Sequence, residues 1–98
     1  MRLPTHRAPT PPGEILLEDW LKPAKLTQLA LAKKMGVDIQ LVNGIINGRR
    51  SVTAKTALLL AKVLKTSPEL WLNAQMAVDL RHAQAELRDE RGSRRRTA

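Results

Sequence analysis

Apolar residues recur at three- and four-residue spacing along most of this chain, interrupted by prolines, glycines and capping side chains. Residues 1–11, with Pro4, Pro9 and Pro11, carry no such period and read as a flexible arm. A first helix is expected from Pro12 to Lys22, since Pro23 should not continue it. Its buried stripe is Ile15, Leu16 and Trp20, widened by Leu17. Thr27 caps a second helix over 28–35, and Asp38 caps a third over 39–46. Asn47-Gly48 stops the third helix, and Thr53 caps a fourth at about 54–64. That fourth segment is apolar nearly all round, which predicts a central position. Ser67-Pro68-Glu69 starts a fifth helix, expected to reach about Leu87 and to fray through Glu90. Its stripe reads Leu70, Ala74, Ala77, Leu80, Ala83 and Leu87, with Trp71 and Val78 beside it. Residues 91–98, rich in arginine with Gly92 and Ser93, are expected to be disordered. No strand alternation and no internal repeat is visible.

The second and third segments form one unit. Within it Ala32, Gly36, Val42 and Ile45 fall where a helix-turn-helix needs them. A small residue at Ala32 lets the two helices cross closely. Gly36 can take the positive φ of the corner at little steric cost. Leu31, Met35, Val37, Val42 and Ile45 then point inward, with Leu41 and Ile46 partly covered. The outward face of the third helix keeps Gln40, Asn43, Gly44 and Asn47, with Ile39 exposed at its first turn.

Ninety-eight residues make one domain, here spanning residues 12–90. Cysteine is absent, so no disulfide, thiolate metal site or thiol nucleophile is available. The first residues lack the apolar run of a signal peptide, and no apolar run is long enough for a bilayer. The net charge of +8 comes from 17 Lys and Arg against 9 Asp and Glu. It is uneven: the helix-turn-helix region is basic, whereas residues 67–90 are acidic. Charge and motif together point to a polyanion such as DNA.

Amide side chains pair well with adenine in the major groove, so Gln40, Asn43 and Asn47, with Gly44 among them, are the candidate base contacts. Two readings of Gly44 stand side by side: close approach to the sugar-phosphate edge, or a simple weakening of the helix by about 1 kcal/mol. Gln28, Arg49, Arg50, Thr53 and Lys55 are the candidate phosphate contacts, which set register rather than sequence. Lys33 and Lys34 are assigned to solvent, and Trp71 to the core. Leu29 and Ala30 are either a partner contact or ordinary scattered surface. His6 and His82 are too isolated for a metal. No nucleophilic triad, carboxylate pair, phosphate-binding glycine loop or metal spacing is present, so neither an enzyme nor a cofactor is expected. The later apolar positions Leu80, Ala83 and Leu87 outrun a four-helix core and are candidate dimer or partner contacts.

Five strings carry a narrower signal: residues 12–18 (PGEILLE), Leu26-Thr27-Gln28 with Leu31-Ala32, residues 45–50 (IINGRR), residues 53–58 (TAKTAL) and residues 67–75 (SPELWLNAQ). In this order, residues 12–80 resemble the HigA-type antitoxins of bacterial toxin–antitoxin operons. That group is a branch of the Cro/C1 (XRE-like) helix-turn-helix proteins. The resemblance implies an all-α, five-helix, lambda-repressor-like domain with a longer C-terminal helix. It further implies a cytoplasmic homodimer that binds double-stranded operator DNA and represses its own operon. Its second partner would be a cognate HigB-like toxin, a RelE-like ribonuclease that it neutralises. Gln28, Gln40, Asn43, Asn47 and Arg49 match positions the family uses at DNA. Gly44 and Ile39 depart from the family pattern, which favours polar or basic residues there. Two other readings remain: an interaction module with vestigial DNA binding, and a phage-type repressor without a toxin.

Overall fold

The computed structural model describes the backbone of residues 8–97 and the side chains of residues 8–90; the statements on residues 1–7 concern positions outside that range. Among the described residues the chain is all-helical, with five helices. Helix α1 covers residues 12–24: α-helical over Pro12–Ile15, π-helical over Leu16–Leu21 and α-helical again over Lys22–Ala24. Helix α2 is Gln28–Met35, α3 is Ile39–Ile46, α4 is Ala54–Leu64 and α5 is Pro68–Thr97.

Helix α1 therefore passes through Pro23, where the sequence suggested a stop. The Lys22 N–H bonds back five residues to the Leu17 carbonyl, and Leu26 N–H reaches Leu21 in the same register. A proline ring ordinarily meets the carbonyl four residues before it; widening the preceding turn removes that conflict. The extra residue per turn also rotates the helix. Leu16 and Leu21 both become buried, while Ile15, Leu17 and Trp20 are only half-buried.

The expected caps all form. Thr27 Oγ1 accepts from Ala30 N–H at 3.1 Å, Asp38 Oδ1 from Gln40 N–H at 2.8 Å, and Thr53 Oγ1 from Thr56 N–H at 3.3 Å. Ser67 Oγ accepts from Leu70 N–H at 3.3 Å. At the corner between α2 and α3, Gly36 lies at φ 71°, and the Val37 N–H closes on the Ala32 carbonyl at 3.0 Å.

The core contains Leu16, Leu21, Leu31, Ala32, Met35, Val42, Ile45, Val52, Ala57, Leu60 and Trp71. Trp71 is fully enclosed; its indole N–H donates to Thr66 Oγ1 at 2.8 Å, and its ring lies 6.4 Å from that of Trp20. Helix α4 is less central than its composition suggested, for Leu58 is 61% exposed. Helix α5 presents Trp71, Ala74, Gln75 and Val78 to the domain, so its stripe is not the one the sequence suggested. Leu70, Met76, Leu80, Ala83 and Leu87 are left exposed. From Asp79 to Glu90 every residue of α5 is exposed. The backbone stays helical to Thr97 rather than ending near Leu87 and becoming disordered. Good helix formers from Ala83 to Arg91, with no proline, account for the extension.

Two contacts fix α3. Gly13, buried in the first turn of α1, rests on the backbone of α3; a Cβ there would collide with the Ile45 carbonyl oxygen and lie 2.7 Å from Ile46 Cα. On the other side of the loop after α3, Gln75 Oε1 accepts from the Val52 N–H at 2.8 Å, while its Nε2 donates to Asp79 Oδ1 at 3.0 Å. Gly13→Ala should therefore push α1 off α3 and cost about 1–3 kcal/mol or more. Thermal unfolding would register this as a midpoint lowered by at least several degrees, roughly 4–8 °C per kcal/mol in a domain this small. An unchanged midpoint would contradict the packing described here.

Candidate nucleic-acid interface

Helix α3 buries Val42 and Ile45 and turns Gln40, Asn43 and Asn47 to the other side. The amides on that side are joined. Asn43 Nδ2 donates to Gln28 Oε1 at 3.1 Å, which links the middle of α3 to the start of α2. Asn43 Oδ1 accepts twice, from Asn47 Nδ2 at 3.1 Å and from Arg49 Nη2 at 3.0 Å. Asn43 is half-buried at the centre of this cluster, while Gln40, Asn47 and Arg49 are exposed. Gln40 and Asn47 thus keep free hydrogen-bonding edges. Asn43 does not: its oxygen is used twice and one amide proton is spent on Gln28. A bidentate pairing of Asn43 with a base would have to displace these partners.

The loop after α3 folds back over the helix. The carbonyl of Gly44 accepts from both Arg49 N–H at 2.8 Å and Arg50 N–H at 3.1 Å. Gly44, expected on the open outward face, is instead buried. It does face outward by helical geometry, but the aliphatic stem of Arg50 lies over it: a Cβ at Gly44 would be 2.8 Å from Arg50 Cγ. Gln40, Asn43, Gly44, Arg49 and Arg50 together line one open concavity on this face.

The remaining candidates lie around this cluster. Thr53 is exposed, and its hydroxyl is engaged with Thr56 as the cap of α4. Lys55 is exposed two residues further on, in the first turn of α4, and Gln28 is half-buried at the start of α2. Lys33 and Lys34 are exposed, as assigned. Leu29 is 49% exposed and Ala30 half-buried. Periodicity identified the outward residues but gave no sign that they bond to one another. The arm of Arg50 across Gly44 was also missed; a glycine flanked by outward polar residues and followed by two arginines was its only trace. Among the described residues no three His, Cys, Asp or Glu side chains cluster to hold a metal, and no helix is long and apolar enough to cross a membrane.

The family described as Helix-turn-helix (HTH_3) matches residues 17–71. The curated Antitoxin HigA-1 of Vibrio cholerae serotype O1 is 46% identical over 76 residues, covering 78% of this chain and 71% of that protein. The chain belongs to the HigA-type branch of the Cro/C1 helix-turn-helix family. That family consists of regulators and antitoxins, not enzymes. Another relative, the uncharacterized HTH-type transcriptional regulator YbaQ of Escherichia coli K12, is 40% identical over 84 residues, 86% of this chain and 74% of the relative. The solved structure of antitoxin GraA in complex with its operator superposes with a TM-score of 0.78 at 43% identity, covering 91% of this chain and 90% of that one. All five helices of the antitoxin fold are thus accounted for.

Asn43→Ala should release Arg49 while leaving the helices in place. The Arg49 Nε–H order parameter, measured by NMR relaxation in the free protein, is expected to fall into the flexible range, below about 0.6. A value unchanged from the parent would show that Asn43 does not hold the guanidinium.

Proposed function

We propose that this protein is an operator-binding antitoxin: it binds DNA upstream of its own operon through α3, represses it, and neutralises a cognate HigB-like, RelE-like ribonuclease toxin. The observation that carries the reading is the joined cluster of Gln28, Asn43, Asn47 and Arg49 on the outward face of α3, beside the free edge of Gln40. Polar groups held in place ahead of binding lose little entropy on meeting a duplex. The GraA–operator structure, an antitoxin in complex with its operator at 43% identity, supports operator binding. In this assignment Gln40 and Asn47 read base edges, with Asn43 and Gly44 in the floor between them. Gln28, Arg49, Thr53 and Lys55 meet phosphates. The protein then works in the cytoplasm, where its DNA is.

A single such domain reads too few base pairs for tight and specific binding. The outer face of α5 offers a means of pairing. Met76, Leu80, Ala83 and Leu87 follow one another at three- and four-residue steps and are all exposed. Leu80, Ala83 and Leu87 are assigned to a twofold contact with a second copy. The second reading, an interaction module with vestigial DNA binding, is favoured by Ile39, which is 40% exposed at the first turn of α3. YbaQ, named as an HTH-type transcriptional regulator, supports a role in transcription regulation.

In mobility-shift titrations, the parent protein should bind its own upstream DNA at half-sites about one helical turn apart. Arg49→Ala should weaken binding on every sequence and reduce the salt slope by about 1, whereas Gln40→Ala should relax base preference at one position. No shift at low salt would favour the interaction module. Light scattering at tens of micromolar should give a dimer, and Leu80→Glu with Leu87→Glu a monomer. A monomeric parent would remove the assignment of α5. Expressing the whole operon and identifying what co-purifies by mass spectrometry separates antitoxin from plain repressor.

A further inference from the structure

On the reading that α3 faces DNA, we propose that Arg50 is a specificity-determining residue, delivered to the base edges by the missing side chain of Gly44. A residue at position 44 would stand between Gln40 and Asn47 on the outward face. Its place is taken by the loop. Three consecutive atoms of the Arg50 stem, Cγ, Cδ and Cβ, would lie 2.8, 3.1 and 3.3 Å from a Cβ at Gly44. The stem therefore runs flat along the helix rather than out into solvent. Two backbone bonds to the Gly44 carbonyl, from Arg49 and Arg50, hold the loop in this return.

The consequence is chemical. Arg50 shares one concavity with Gln40, assigned above to a base edge, with Asn43 in its floor, and with Arg49, whose guanidinium bonds to Asn43 at 3.0 Å. Among the described residues no carboxylate pairs with Arg50. Its planar fork of donors suits the O6 and N7 acceptors of guanine and fixes both bonds in one geometry, which the flexible ammonium of a lysine does not. Gly44 is then a positioning residue: it acts only by leaving room for the Arg50 stem. The helix gives up propensity at this position and gains an arginine laid over it from the loop.

Binding of the full chain to duplex DNA from upstream of its gene tests this, with each guanine of the half-site replaced in turn by 7-deazaguanine, which lacks N7. The parent should lose affinity at one guanine by about 5- to 140-fold. Arg50→Ala should bind more weakly and become indifferent to that replacement. Arg50→Lys should keep the non-specific affinity but only part of the guanine preference. Gly44→Ala should reproduce the loss of Arg50→Ala, and the double variant should lose no more than either single one. A melting midpoint at or above the parent's would show that Gly44→Ala is folded, since alanine favours the helix. If it does not fold, the indifference of Arg50→Ala to 7-deazaguanine still decides. Additive losses, or full recovery of guanine preference in Arg50→Lys, would overturn the assignment of Arg50 while leaving operator binding intact. Absence of any shift by the parent at low salt would overturn both.

Discussion

Helix α3 is held from behind by a contact that admits no side chain. Gly13 sets the backbone of α1 directly on the carbonyls and Cα atoms at the end of α3. Everything presented on the opposite face inherits its position from this approach. The core residues Val42 and Ile45 decide which side of α3 is inward, but leucine and isoleucine contacts tolerate shifts of a few tenths of an ångström. Backbone packed on backbone does not. The π-helical stretch Leu16–Leu21 follows directly, turning Leu16 and Leu21 into the same core that the start of the helix abuts.

The outward face is built on the opposite principle. Its order comes from polar bonds among exposed or half-buried groups, each worth little alone. Asn43 gathers three of them, so Gln28, Asn47 and Arg49 are oriented through one side chain. Gly44 contributes by what it lacks and by its carbonyl, which collects the N–H groups of both loop arginines. A rigid rear contact and a bonded front surface together make α3 a rod whose chemistry is set before any partner arrives.

Much of this was legible in the sequence because the signals are local. Thr27, Asp38, Thr53 and Ser67 each cap the helix they precede, and Gly36 turns the corner with positive φ. Local signals also failed where a longer-range effect won. Pro23 reads as a helix stop, yet a register shift several residues earlier accommodates it. Leu58 reads as core in an apolar string, but one helix cannot bury its whole circumference in a domain of this size. On α5 the sequence shows two apolar stripes that a single periodic reading merges; only tertiary packing reveals that Gln75 and Val78 turn inward near its start and Leu70 does not. For the interface, the residue types and their side of the helix were readable. The bonds joining Asn43 to Gln28 and Arg49, and the stem laid over Gly44, depend on distances between segments that periodicity does not encode.

Gln75 gives the domain a mechanical property of its own. With one end of its amide it grips the Val52 N–H, and with the other it steadies Asp79 one turn along α5. The strand of loop carrying the two arginines is therefore tethered to the long helix whose far half stands clear of the globule. The cationic loop is thus referenced to two helices at once, to α3 through the Gly44 carbonyl and to α5 through Gln75.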